Sequence, residues 1–349
     1  MIFRSFAKMT DAERTAFVQR EDVHAFLTDV RDAMSQKRAL TNVGLTIPQV
    51  MLGLLRENIE NYSKLYKHVF VRPVNGTARE VVMGTIPEGV WTEMCATLNE
   101  LSLGFNDVEV DGYKVGGFFA ICNATLEDSD IDLAGEILTA LTQAIGLALD
   151  KAILYGTGTK MPLGVVTRLA QTEEPANYSE IERAWADLHT SNIISISTAN
   201  TEGIKLFKNI ILASGAAKGK YARGEKVWCM NETTRTRLLA EGLSINAAGA
   251  IVSGMNGTMP VVGGVAEVLS FIPDNVIIGG YFELYLLAER AGTSLAQSEH
   301  VRFIQDQTVF KGTARYDGKP VIAEGFVAIG INGVTPTAAM TFASDTANA

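Results

Sequence analysis

Between Asp130 and Gly158 apolar residues return at helical spacing: Ala134, Ile137 and Leu138, Leu141, Ala144 and Ile145, Ala148, Ala152, Tyr155. A period near 3.6 held for about seven turns predicts one long amphipathic helix over 130–155. Ser129 followed by Asp132 predicts a serine cap with an acid in the first turn. Gly156 and Gly158 supply the stop, where a left-handed residue is needed. At 1.5 Å per residue this helix is about 39 Å long, the length of a spine crossing a whole domain.

The pattern elsewhere is shorter in range. Residues 1–40 are charged and helix-prone, with Phe17, Val23, Phe26, Leu27 and Val30 on a narrow apolar stripe that buries little by itself. Gly44 and Pro48 break helix in the connector 39–49, and Val50, Leu54, Leu55, Ile59 and Tyr62 predict a helix over 47–66. From Phe70 the period becomes two, with strands expected at Val69–Val71 and Val81–Val82. In 85–120, Leu101, Leu103 and Phe105, then Val108 and Val110, alternate with polar or small residues, and Asp111-Gly112 is a turn dipeptide. This is a long two-stranded excursion with few apolar residues for its own domain. An isolated ribbon is marginal in water, so it implies packing on another subunit.

After the spine, Met161-Pro162-Leu163-Gly164 turns the chain. Helices are expected around Ile181, Trp185 and Leu188, over Ile204, Phe207, Ile210 and Ile211, and over 232–243. Strands are expected at 226–230, 260–265, 266–271 and 275–278, with 282–288 open between strand and helix. Such alternation describes an α/β lobe. The stretch 301–331 is strand-rich, with Asp317-Gly318 as a hairpin turn, and the small polar tail after Thr335 is expected to be disordered. No internal repeat and no low-complexity block is present.

Composition narrows the function classes. The 349 residues are 47% hydrophobic and 20% charged, ample for two cores. No apolar run reaches the roughly 18 residues of a membrane span, and the charged start is unlike a signal peptide. Cys95, Cys122 and Cys229 are odd in number and far apart, which points to a reducing compartment at synthesis and away from a disulfide framework. A net charge of −9 argues against a basic nucleic-acid clamp.

Candidate chemistry is sparse. Gly156-Thr-Gly-Thr-Lys160 looks like a phosphate loop, but its glycines close a helix, where the dipole end is negative. His24, His68, His189 and His300 lack metal-site spacing, and Ser214-Gly215 and Ser253-Gly254 lack the nucleophile elbow. Glu127, Asp128, Asp130 and Asp132 read as a solvated first turn complementing the helix dipole. Lys218, Lys220, Arg223 and Lys226 form the densest positive patch, in a Gly/Ala-rich loop. That patch is either a solvated face or a contact with a polyanion or with acids of a neighbouring subunit. No catalytic, cofactor or metal constellation emerges.

The order of elements resembles the major capsid protein of tailed bacteriophages, the family with the Hong-Kong-ninety-seven-type shell fold. The resemblance spans roughly 40–335. It is carried by LTALTQAIGLALDKAILYGTGTKMPLGVV, similar to the family's long helix and Gly-rich turn, and by KVWCMNETTRTRLLAE, similar to the strand-then-helix of its axial domain. GTMPVVGGVAEVLSFIPDNVIIGGYFELYLLAERAGTSL and VFKGTARYDGKPVIAEGFVAIGI resemble its later and closing strands.

The resemblance implies an α+β chain. Residues 1–46 would be an N-terminal arm, 47–81 the first part of a peripheral domain, and 82–118 an extended loop lying over a neighbour. Residues 119–169 would carry the spine, 170–298 an axial domain meeting its copies in hexamers and pentamers, and 299–349 the closing strands and tail. The implied role is an icosahedral shell around double-stranded DNA, in the virion and assembled in the host cytoplasm. Implied partners are further copies, a separate scaffolding protein (the region before the connector is short for a fused one), a portal, a decoration protein and weakly held DNA, but no membrane. Some members weld their shells through a lysine and an asparagine. The matching positions here fall near Glu109 and Asp306, so even with Lys114 available no isopeptide crosslink is expected. An encapsulin-type compartment and an α/β enzyme are the other readings.

Overall fold

In the computed structural model the described residues are 63–74, 78–83, 105–110, 112–122, 130–175, 178, 184–200, 203–242, 244–245, 251–252, 259, 262–298 and 307–343. Expectations for 1–62, for Ser129 and for 301–306 lie outside them. The chain divides into two compact units. The first draws on Met1–Lys67, Tyr113–Ala152 and Arg290–Tyr316, the second on His68–Gly112, Ile153–Glu289 and Asp317–Ala349.

In the first unit the spine, α1, is a single helix over Asp130–Tyr155, as its period predicts. Thr142, Ile145 and Leu149, with Gly146 and Asp150 beside them, form its buried stripe at three- and four-residue steps. Strand β4 (Tyr113–Cys122) pairs antiparallel with β12 (Gln307–Pro320), Phe118 opposite Lys311 and Val115 opposite Ala314. Strand β11 (Tyr285–Ser298) lies on the other side of β12.

The second unit is built on a five-stranded sheet. Its strands are β5 (Ile193–Ser195), β6 (Val227–Met230), β9 (Val265–Val268), β10 (Val276–Gly280) and β13 (Phe326–Gly330), in the order β5-β13-β10-β6-β9. The pairs β5–β13 and β6–β9 are parallel, whereas β13–β10 and β10–β6 are antiparallel. Every residue of β6, β10 and β13 is buried, which is why these strands read as continuous apolar runs rather than alternating ones. Helix α3 (Gly203–Ser214) lays Leu206, Phe207, Ile210 and Ala213 into the cluster formed with Trp228, Ile277, Val327 and Ile329. A Cβ on Gly279 would lie 2.1 Å from the Trp228 ring, so the glycine is the floor on which the indole rests. The indole N–H donates to the Gly263 carbonyl at 2.9 Å.

Two short helices complete the frame: α2 (Val165–Ala170) and α4 (Glu232–Gly242). Asn231, the residue after β6, caps α4 by accepting from the Thr234 N–H at 2.8 Å. Strand β1 (Phe70–Val74) is short, and β2 (Ala78–Met83) pairs antiparallel with β3 (Phe105–Val110). Two-residue strands β7 (Ser244–Ile245) and β8 (Ile251–Val252) pair with each other.

Several expectations need correction. The ribbon joins β3 to β2, while β4 beyond Asp111-Gly112 pairs with β12. Residues 63–66 begin a turn rather than end a helix, because Ser63 Oγ accepts from the Tyr66 N–H at 3.1 Å. Residues 184–188 are not helical; the Ala186 carbonyl instead accepts from the Arg168 guanidinium, which lies over the Trp185 ring. Residues 262–264 form a turn, since Gly263 and Gly264 are both left-handed at φ 77° and 86°. Residues 282–284 make a single 3-10 turn before β11.

Asp317-Gly318 lies inside β12 and is no hairpin turn. A Cβ on Gly318 would stand 2.6 Å from the Leu286 carbonyl, so glycine permits a close backbone approach there. Strand β13 belongs to the five-stranded sheet and not with β12. The tail is placed through 343, with Pro336 buried against Gly330.

Candidate functional site

The glycines after the spine close it and reverse the chain. Gly164 N–H donates to the Gly156 carbonyl at 2.8 Å, Thr157 and Leu163 form a bridge, and Gly158 is left-handed at φ 77°. Thr167 Oγ1 donates to the Tyr155 carbonyl at 3.1 Å, occupying a helix-end acceptor. The carbonyl end of a helix repels phosphate, so this turn has the wrong polarity for a nucleotide.

The other sequence candidates do not converge. His68 Nε2 meets Glu267 Oε1 at 3.0 Å, a half-buried pair linking the start of β1 to β9. His189 is exposed, its backbone N–H donating to Asp187 at 3.0 Å. Ser214 is buried with its hydroxyl donating to the Ile211 carbonyl at 2.8 Å, so it is a helix-end group and not a nucleophile. Asp130 and Asp132 lie in the first turn of α1. Cys229 is buried in β6, and Cys122 ends β4. Lys114 is exposed in β4 opposite Arg315, and Glu109 stands in β3 opposite Arg79. His24, His300, Cys95, Glu127, Asp128, Ser253 and Asp306 lie outside the described residues. Among the described residues no three His, Cys, Asp or Glu side chains gather as metal ligands, and no helix is long and apolar enough to cross a membrane.

The basic run is brought together, and it is a held loop rather than a loose one. Glu283 Oε1 accepts from the backbone N–H groups of both Arg223 and Gly224. The Lys218 N–H donates to the Glu324 carbonyl at 2.8 Å. Lys226 turns back to donate to the Ser214 carbonyl at 2.7 Å and lies over the Tyr281 ring. Burial, with the Lys218 charge adding to it, lowers the Lys226 pKa. Lys218, Lys220 and Arg223 remain exposed. Directly before the loop, α3 turns Ile204, Ile211 and Leu212 outward at 88%, 45% and 67% exposure, with Lys205 and Lys208 on the same side. The outward face of α3 and the loop after it thus each present exposed cations, the helix with an aliphatic stripe beside them.

A second feature had no local signal. Asp150 in α1 is 2% exposed, accepting from Ser63 Oγ at 2.6 Å, the Lys64 N–H at 3.0 Å and the Leu65 N–H at 3.1 Å. Burial raises its pKa to about 6, against the opposing pull of these hydrogen bonds and of the Lys64 charge. It works as a structural clamp between the spine and the turn at Ser63.

A polar clamp, a held basic loop and an exposed aliphatic face describe a protein whose unfinished business is at its surface. The comparisons agree. The sequence profile of the phage capsid family matches residues 43–331. The capsid of the empty GTA particle, computed with C5 symmetry, superposes with TM-score 0.54 at 16% identity, covering 78% of this chain and 90% of that one. A structure from Mycobacterium phage Bobi gives 0.51 at 15% identity, covering 78% and 91%, and one from Mycobacterium phage Adephagia gives 0.50 at 14%, covering 94% and 99%. At such identities the likeness is one of fold. Among curated proteins none matches significantly. With a family profile spanning most of its length and the shell fold beneath it, this chain belongs to the phage capsid family and is a major capsid shell protein, a component of the virion.

Proposed function

We propose that this protein assembles through hexamers and pentamers into an icosahedral shell enclosing the double-stranded DNA of a tailed phage. The observation that carries the proposal is the family match over 43–331 on a chain with the shell fold. In this reading 1–46 is the N-terminal arm, 82–118 the extended loop on a neighbour, 119–169 the peripheral domain with its spine, and 170–298 the axial domain. The place of β13 in the five-stranded sheet supports counting its strand with the axial part rather than with the closing strands of 299–349. The role is structural, without turnover.

A separate scaffolding protein would guide closure in the host cytoplasm, with a portal at one vertex. The net charge of −9 supports weak, non-specific contact with the packaged genome. An aspartate at 306 offers no side-chain amide, which supports a shell held without isopeptide welds.

Light scattering and negative-stain microscopy across a salt series test the reading. Closed shells or hexameric rings are expected, from the chain alone or with its scaffolding protein. Failure to form either with scaffolding co-expressed would overturn it.

A further inference from the structure

The basic surface of α3 and the following loop has a counterpart in the chain's own sequence. Between 203 and 226 stand Lys205, Lys208, Lys218, Lys220, Arg223 and Lys226 against the single acid Glu225, in a chain whose net charge is −9. Between 84 and 112 stand Glu88, Glu93, Glu100, Asp107, Glu109 and Asp111, with no lysine or arginine at all. That acidic stretch also carries Ile86, Val90, Trp91, Met94 and Leu98. One segment is cationic with exposed aliphatics, and the other is anionic with aliphatics and a tryptophan.

We propose that the outward face of α3 and the loop 215–226 receive the acidic segment 84–112 of a neighbouring copy. The proposal deepens the shell reading and rests on it. Three observations favour this occupant. Opposite charges juxtaposed across an interface steer association and fix register. Ile204 and Leu212, at 88% and 67% exposure, leave apolar surface in water that an apolar-acidic peptide covers and a phosphate backbone does not. The loop is pre-organised, because Glu283 and the Glu324 carbonyl already fix its backbone, so little ordering is left for binding.

The test uses two full-length charge-reversed chains. Lys205→Glu/Lys208→Glu makes the α3 face acidic, and Glu93→Lys/Glu100→Lys makes the segment basic. Wild-type particles under the chosen conditions are the reference, so a wild type that fails even with scaffolding counts against the shell reading and not against this contact. Each reversed chain alone is expected to lose particle yield by tenfold or more, while its melting temperature as an unassembled subunit stays at the wild-type value. Mixed one to one, the two chains are expected to recover yield in part, most clearly as hexameric rings. Alternating copies in a six-membered ring give every face an opposite segment, whereas a five-membered ring cannot alternate throughout.

A contact within one chain predicts no recovery on mixing, and that result overturns the proposal. Wild-type assembly by Lys205→Glu/Lys208→Glu overturns it too, including the case where its shells hold less DNA, which would assign the surface to the genome. Where reversal disturbs folding, Glu93→Gln/Glu100→Gln gives a milder arm. It is expected to assemble only at lower salt than the wild type, and an unchanged salt response overturns the proposal.

Discussion

Strands β6, β10 and β13 and the outward side of α3 both carry large apolar side chains, in opposite circumstances. The strands have every residue buried, with Trp228 seated on Gly279 and its N–H satisfied by Gly263. The helix buries Leu206, Phe207 and Ile210 in that same core, yet holds Ile204, Ile211 and Leu212 in solvent. Core positions answer to the fold of one chain, and exposed aliphatics on a rigid helix answer to a partner. In a shell protein both are requirements, but they respond to different experiments: mutations in the first change stability, and mutations in the second change assembly.

The sharpest way to break the sheet is at its glycine–tryptophan contact. Gly279→Val places a side chain where the indole lies and is expected to prevent folding to a soluble subunit. Trp228→Ala is expected to cost about 3–5 kcal/mol through lost burial and the cavity left behind, read by urea unfolding of unassembled subunits. Next comes the comparison within α3 itself. Leu206→Ala on the buried side is expected to cost about 2–5 kcal/mol. The pair Ile204→Ser/Leu212→Ser on the outer side is expected to stay within about 0.5 kcal/mol of wild type in unfolding while lowering particle yield. A large stability loss from the outer pair would erase the distinction.

Asp150 extends the contrast to the first unit, where stability depends on pH. Burial raises its pKa from 3.8 to about 6, so the folded chain holds the proton more tightly than the unfolded one. Its contribution is therefore most favourable below about pH 4, falls by about 3 kcal/mol as pH rises through the interval up to about 6, and is flat above. Asp150→Asn is expected to remove this part of the slope, measured by urea unfolding between pH 4 and 7. Its amide N–H groups would also face the Lys64 or Leu65 N–H, so a loss of about 1–3 kcal/mol is expected at neutral pH.

What could be read from the chain follows from how local each signal is. The spine was legible over 130–155 because seven turns share one period, and β6 because a short apolar run must be buried. Asp317-Gly318 misled because a turn dipeptide is a local signal, whereas this glycine answers to the Leu286 carbonyl of another strand. Gly263 and Gly264 were legible as strand breakers, but not as a left-handed pair that delays the strand to Val265. The shared period of α3 could not say which of its aliphatics face inward, since Ile204, Phe207, Ile210 and Ile211 all fit a helix. Asp150 resembled any acid on a helix, and its partner Ser63 stands 87 residues earlier in the chain. The basic loop was legible as a loop, but not as one anchored by Glu283.

That anchor gives the smallest effect and the finest test of the comparison. Glu283 accepts from two adjacent backbone N–H groups at a half-exposed position, so Glu283→Ala removes about 1 kcal/mol of local restraint rather than a piece of the core. Amide hydrogen exchange at Arg223 and Gly224 is expected to speed up about fivefold, with exchange in β6 and β10 unchanged. Particle yield should fall modestly, because Lys218, Lys220 and Arg223 would then have to be ordered at the moment of contact. Faster exchange in the loop with unaltered assembly would mean that its charges act without fixed geometry. The helix face alone would then set the register between copies.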